Sequence, residues 1–358
     1  MKKVLEGGRY ILGDQVARFE SEFAEYLGAG DGVSVASGTD ALVLALWACG
    51  VGPGDDVVTP SHTAVATVAA IRLRGATPVF IDIERETMVA SADEVRRWSG
   101  ARTKAIVVVH LYGHPVDLDA MRESADGLGV PLIEDCAQAH GATFRGLRVG
   151  SVGDFGCFSF YPTKNLGALG DGGFVATRRA DLASTVRRLR EYGWVSRYIS
   201  QTEGMNSRLD ELQAAVLRVK LRRLDEDNGR RREIAAIYSA RLRGLPLELP
   251  VTRAWADHCF HQYVVRTPYR DDLGAFLKSR GIGTLVHYPY PVHKQPGYAA
   301  FAPPDRPLVE TQRAADQVLS LPMFPELTDG QVQRVCTVVR EYFETAGGLS
   351  SGDLGGTC

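Results

Sequence analysis

The sequence predicts an α/β fold in which a mostly parallel sheet of about seven strands is followed by a smaller α+β unit. Three observations lead there. Short apolar runs alternate with amphipathic stretches over the first two-thirds of the chain. Several runs are rich in Val and Ile and barely alternate, as in Ala105-Ile106-Val107-Val108-Val109, which suits strands covered on both faces. After Asn206 the pattern changes to long helical stretches.

Taken in order, strands are expected at 32–36, 56–60, 78–83, 105–110, 130–135, 155–160 and 173–177. Between them lie helix-like segments such as 41–49, where Leu42, Ala45, Leu46 and Cys49 share a stripe. Helices over 209–224 and 227–242 follow, parted by the acidic Asp225-Glu226-Asp227. Gly244-Leu245-Pro246 and Pro250 then break the chain. The remainder predicts a strand at 262–266, a helix at 271–280 stopped by Gly281, and a second strand at 284–287. A last helix starts at Thr328, which has capping-box spacing to Gln331 and an apolar stripe of Val332, Val335, Cys336 and Val339. No internal repeat is visible. The expected division is a large unit at 1–245, a small unit at 246–346 and a disordered Gly/Ser-rich tail at 347–358.

Composition excludes several functions. The 358 residues carry a net charge of −2 with acids and bases interspersed, so no stripe suits nucleic acid or an anionic membrane. The lysines at the start are not followed by an apolar run, so no secretory signal is expected. No stretch approaches the ~18 apolar residues of a membrane span. The six cysteines form no CxxC, and Cys49, Cys136, Cys157 and Cys336 lie in apolar segments as expected buried thiols. A reducing, cytoplasmic location follows.

In open α/β sheets, sites lie beyond the carboxyl ends of strands. Three strand ends carry unusual residues. Ser34-Val35-Ala36-Ser37-Gly38-Thr39-Asp40 runs into a helix through small residues, which suits a phosphate but also describes an ordinary capped helix with Ser37 as N-cap. Leu132-Ile133-Glu134-Asp135-Cys136-Ala137-Gln138-Ala139-His140 ends a buried strand on carboxylates that need a partner, either a cationic ring nitrogen or a structural arginine. Phe158-Ser159-Phe160-Tyr161-Pro162-Thr163-Lys164-Asn165 places a lysine where burial can lower its pKa, unless Lys164 is simply a surface loop residue. Together they supply the phosphate cradle, carboxylate and nucleophilic amine that a pyridoxal phosphate site requires. A dinucleotide site fits worse, because neither Gly50-Val51-Gly52-Pro53-Gly54 nor Gly281-Ile282-Gly283 completes GxGxxG.

These motifs, with Tyr10-Ile11-Leu12-Gly13, Gly52-Pro53-Gly54-Asp55 and Asn206-Ser207-Arg208-Leu209, closely resemble the nucleotide-sugar aminotransferases of the DegT/DnrJ/EryC1/StrS family. The resemblance covers nearly the whole chain and implies fold type I, the aspartate aminotransferase-like fold. It implies pyridoxal 5′-phosphate held as a Schiff base by Lys164, and Asp135 paired with the pyridinium nitrogen. Gln138 would meet the phenolic oxygen, and Gly38, Thr39 and Ser159 the phosphate. Asn206 would reach the phosphate of a neighbouring subunit, in a homodimer with shared active sites. Tyr10 and Arg208 fall on the substrate side.

The sequence departs from the family pattern at one place. Many relatives stack an aromatic on the cofactor from the segment aligned with Pro60-Ser61-His62-Thr63-Ala64, where this chain has Ala64. His62 is the nearby ring and the candidate for stacking, against the reading of a loop histidine with no cofactor contact. Some family members carry histidine in place of the lysine and dehydrate; Lys164 favours transamination. The segment Val286-His287-Tyr288-Pro289-Tyr290-Pro291-Val292-His293 resembles members acting on dTDP-linked 3-keto-6-deoxyhexoses, with His287 either touching substrate or serving structure. His258 and His261 are too few for a metal site, and none is expected. The expected reaction moves an amino group from an amino acid, by family habit glutamate, to a keto sugar, making an aminodeoxy sugar for natural-product or glycan biosynthesis. A 4-keto sugar, a keto-cyclitol, a dehydration or a non-catalytic binding role remain the alternatives.

Overall fold

The computed structural model describes residues 1–347. The expected tail lies, past Gly347, outside the described residues. Seven strands form the central sheet: β1 (Asp31–Val35), β2 (Asp56–Pro60), β3 (Thr77–Ile81), β4 (Thr103–Val109), β5 (Leu132–Asp135), β6 (Phe155–Ser159) and β7 (Gly173–Thr177). Their spatial order is β1-β7-β6-β5-β4-β2-β3. Six run the same way and β7 runs against both neighbours. The near-continuous apolar runs have the expected cause. Neighbouring residues of one strand feed opposite cores: Val57, Val107, Ile133 and Val175 pack on one face, and Val58, Ile106, Leu132 and Phe174 on the other.

Register aims the strand ends. Asp135 closes β5 between Val109 of β4 and Cys157 of β6, in the middle of the sheet. Gly173 of β7 pairs with Val35 on one side and Ser159 on the other, bringing the ends of β1 and β6 together. A Cβ at Gly173 would lie 2.2 Å from the Ser37 carbonyl oxygen, so this junction needs a residue without one.

Beyond the sheet, helices span Glu211–Leu221 and Leu224–Leu242. The acidic triplet does not separate them as expected. It occupies the first turn of the second helix, where the helix dipole favours negative charge. A third core joins Ile234, Tyr238 and Leu242 of that helix to Tyr263, Val265, Leu319, Leu321, Val332 and Val339. It encloses a two-stranded antiparallel sheet of β8 (Tyr263–Arg266) and β9 (Val318–Leu321). The strand expected at 284–287 is therefore corrected: that segment makes an isolated bridge between Leu285 and Ser320, and β9 is the true partner of β8. Pro289 and Pro291 shortly after it have no N–H to extend a ladder. The final helix, Asp329–Gly347, has the predicted capping box. Gln331 N–H donates to Thr328 Oγ1 at 3.3 Å, and Thr328 N–H to Gln331 Oε1 at 3.0 Å.

Cys136, Cys157, Cys259 and Cys336 are buried free thiols, while Cys49, expected buried, is only half-buried where its helix ends. Among the described residues no helix is long and apolar enough to cross a membrane.

Candidate active site

The ends of β1, β4, β5 and β6 open on one cavity of about 250 Å³. Its wall includes Gly38, Thr39, Asp135, Gln138, Ser159 and Lys164, so six residues singled out from distant motifs meet in one place.

Gly38 and Thr39 begin the helix Gly38–Ala48, whose N-cap Ser37 accepts from Asp40 N–H at 3.1 Å. The turn is an ordinary cap, and its first-turn N–H groups, which have no partner within the helix, belong to residues that border the cavity. Ser207 braces the turn, with its hydroxyl accepting from Ala36 N–H at 3.0 Å and donating to Asp40 at 2.7 Å. A Cβ on Gly38 would sit 2.6 Å from that of Ser159, so these two walls touch only because residue 38 is glycine.

Asp135 is 5% exposed. Thr67 donates to Oδ2 at 2.8 Å and Ala137 N–H to Oδ1 at 3.1 Å, and among the described residues no arginine, lysine or histidine forms a salt bridge with the carboxylate. Burial raises its pKa, against the pull of Thr67, Ala137 and the Lys164 charge. Its neighbour Glu134 has the opposite fate. His110 Nε2 at 2.9 Å and the N–H groups of Gly150, Val152 and Gly153 at 2.7, 3.0 and 2.6 Å all donate to it. Burial works to raise this pKa as well, but the donors reverse the balance and it falls. Glu134 is the structural carboxylate of the pair.

Lys164 follows β6 in a turn closed by its own N–H on the Tyr161 carbonyl at 2.9 Å. Burial lowers the pKa of its amine, opposed by Asp135. Such an amine is the nucleophile that imine chemistry needs. Gln138 is fixed at both ends of its amide, by Tyr112 N–H at 2.7 Å and by the Tyr288 hydroxyl at 3.0 Å.

The other sequence candidates lie elsewhere. His62 is not on the cavity wall, where Thr63 and Ala64 stand instead. The stacking expected of it is corrected by its packing: the ring is buried edge-on to Tyr112, with Nε2 at 2.8 Å from the Tyr112 hydroxyl. His287 is half-buried, with Nδ1 at 2.8 Å from Ser320 Oγ. Tyr10, Asn206 and Arg208 are outside the cavity; Tyr10 and Asn206 are exposed. His258 Nδ1 accepts from Phe260 N–H, and His261 Nδ1 lies 3.1 Å from Asn165 Oδ1. His110, Glu134 and Cys136 come within 4.8 Å of one another. Both oxygens of Glu134 are already taken by N–H donors, and His110 Nδ1 accepts from Val116 N–H.

Sequence reasoning missed Thr67, Tyr112 and Tyr288. Thr67 carried a faint signal, four residues after Thr63 on a helix that follows a strand, and the two hydroxyls lie 2.9 Å apart. Tyr288 stood inside a quoted motif but beside the residue that drew attention.

The arrangement fits a flat, zwitterionic group. On one wall it offers first-turn N–H donors at a glycine cradle for an anion, a buried carboxylate for a cationic ring, and a buried amine. Pyridoxal phosphate has those features.

Known proteins give the same picture. A transaminase of Streptomyces venezuelae, dTDP-3-amino-3,4,6-trideoxy-alpha-D-glucose transaminase, is 49% identical over 343 residues, 96% of this chain and 90% of that protein. The crystal structure of S. venezuelae DesV in complex with a ketimine intermediate superposes with a TM-score of 0.94 at 49% identity, covering 96% of this chain and 93% of that one. The structure of ntda from Bacillus subtilis with bound cofactor PMP matches with a TM-score of 0.90 at 30% identity, covering 96% and 80%. The model of the DegT/DnrJ/EryC1/StrS aminotransferases matches residues 1–340, and the chain that brings Lys164, Asp135 and Gly38 to one cavity belongs to that family.

Proposed function

We propose that this enzyme uses pyridoxal 5′-phosphate to move an amino group from glutamate to a dTDP-linked 3-keto-6-deoxyhexose. The observation that carries the reading is the shared cavity of Lys164, Asp135 and the Gly38–Thr39 turn. The acceptor class is supported by the name of the Streptomyces venezuelae relative, a dTDP-3-amino sugar transaminase.

When bound, the cofactor supplies the electron sink that stabilises negative charge at the carbon losing or gaining nitrogen. The protein's own groups do the rest. Lys164 provides the amine that anchors the cofactor and later carries the proton at the reacting carbon; its lowered pKa leaves more of it neutral. Asp135 holds a positive charge on the ring nitrogen, and Thr67 and Ala137 N–H keep it oriented. Gly38, Thr39 and Ser159 receive the phosphate, and Gln138 the phenolic oxygen. Asn206 serves the cavity of a second copy in a homodimer. The exposure of Asn206, and of Val195, Tyr198 and Ile199 on the hairpin nearby in sequence, supports that role. Arg208, Tyr10 and His287 are assigned to the acceptor sugar from outside the present cavity wall.

The test combines a spectrum with a product. Purified protein mixed with pyridoxal phosphate gains a visible-edge absorption band, and borohydride reduction fixes the label on Lys164. Incubation with glutamate and a panel of nucleotide-linked 3-keto and 4-keto sugars yields an amino product by mass from the dTDP-3-keto member. A label on any other residue, or amination of 4-keto sugars alone, overturns the corresponding half of the proposal.

A further inference from the structure

Gln138 has a fixed orientation. A peptide N–H can only donate, so the atom facing Tyr112 N is Oε1, and Nε2 faces Tyr288 with a second hydrogen left for the cavity. Tyr112 makes this contact from φ 59°, ψ 0°, a left-handed conformation that a tyrosine keeps only where its surroundings demand it. Its hydroxyl donates to the His287 carbonyl, so the bond to His62 must use His62 Nε2–H. Burial lowers the His62 pKa to about 4, and the ring stays neutral in that tautomer. His287 bonds Ser320 of β9 in turn. Gln138 is therefore tied to the smaller sheet by hydrogen bonds joined through the covalent frames of Tyr112 and of the His287–Tyr288 pair. Burial lifts the Tyr288 phenol to about 12, so it stays protonated as an acceptor for Gln138.

We propose that Tyr288 is a positioning residue for Gln138: docking of the 287–288 segment, held by Tyr112, aims the Gln138 amide and so tunes the charge on the cofactor's phenolic end. The proposal rests on the reading that Gln138 meets that oxygen. The ionisable groups around this path are Asp135, Lys164, His62, Tyr112, His287, His261, Asp82 and Arg266, and Tyr288→Phe leaves all of them in place.

The experiment is a pH titration of the visible band of the cofactor-loaded enzyme in wild type, Tyr288→Phe, Gln138→Ala and the double variant. Tyr288→Phe is expected to retain cofactor and move the midpoint upward by about half a unit to one unit. A less well-aimed donor leaves more negative charge on the phenolic oxygen to hold the neighbouring proton. The shift should vanish when Gln138 is already alanine. An unmoved midpoint, or an equal shift in the Gln138→Ala background, overturns the proposal. If Tyr288→Phe does not fold, Tyr112→Phe takes its place, because it keeps the N–H to Gln138 and frees the His287 carbonyl. An upward shift that depends on Gln138 is again expected, and its absence overturns the proposal. A wild-type protein that gains no band defeats the proposed function and this inference together. A normal wild-type band with an unmoved variant defeats the inference alone.

Discussion

Glu134 and Asp135 are neighbours on one strand, both buried, and the protein treats them in opposite ways. Strand alternation turns Glu134 toward the loop 150–153 and His110, where four donors saturate it. Asp135 ends the strand at the cavity with a hydroxyl and one N–H. Two equal carboxyls thus acquire pKa shifts of opposite sign. A fully satisfied buried charge stabilises the fold. A partly satisfied one can still take up a cation, the part proposed for Asp135.

Four substitutions or titrations would break or sharpen this contrast. The largest expected effect is on turnover: Asp135→Asn should lower kcat by about 100- to 10,000-fold while costing little in thermal stability, since it removes a charge that burial disfavours. A variant that melts far below wild type would make Asp135 a structural residue too. Glu134→Ala should do the reverse, losing about 3–5 kcal/mol in urea denaturation by stranding His110 and three N–H groups. Cofactor bound per folded molecule should hold steady. Thr67→Val keeps shape and removes the hydroxyl on Asp135, and about tenfold in cofactor affinity or turnover is expected, equivalent to ~1.4 kcal/mol.

The smallest effect is on acid stability, and its sign differs between the pair. The folded pKa of Glu134 is depressed, so its contribution is present above the ordinary carboxyl value of 4.5 and fades as pH falls through the lower folded value. That of Asp135 is raised above 3.8, so its ionisation penalises folding at neutral pH, and the penalty lifts as pH drops toward 3.8. Acid denaturation should accordingly be shallower for Glu134→Gln than for wild type, and steeper for Asp135→Asn.

The same contrast explains what the sequence made legible. Asp135 and Lys164 were readable because one ends a strand and the other lies in the turn that follows one, and the sheet brings strand ends together by rule. The strand pattern alone did not say which of the two adjacent acids faces the site, since that depends on the loop around Gly150 closing over Glu134; the family resemblance singled out Asp135. The seven strands showed as apolar runs, yet β9 escaped notice as four buried residues running into Pro322, and 284–287 imitated it. Tyr288 and Gln138 meet across 150 residues of chain, as Thr67 and Asp135 meet across 68. No local pattern encodes such encounters. His62 looked available as an aromatic plate because its neighbour Tyr112, folded into an uncommon backbone angle, was not in view.

The Ser207 hydroxyl has a mechanical consequence. It accepts a hydrogen bond from Ala36 N–H and donates one to Asp40, so the stretch bearing Asn206 is riveted to the turn that begins at Gly38. Quieting that turn with an anion must therefore stiffen a patch of outer surface, on which a second copy would settle. Inorganic phosphate alone should slow deuterium uptake at 206–209, and unchanged exchange there would show that the rivet transmits nothing.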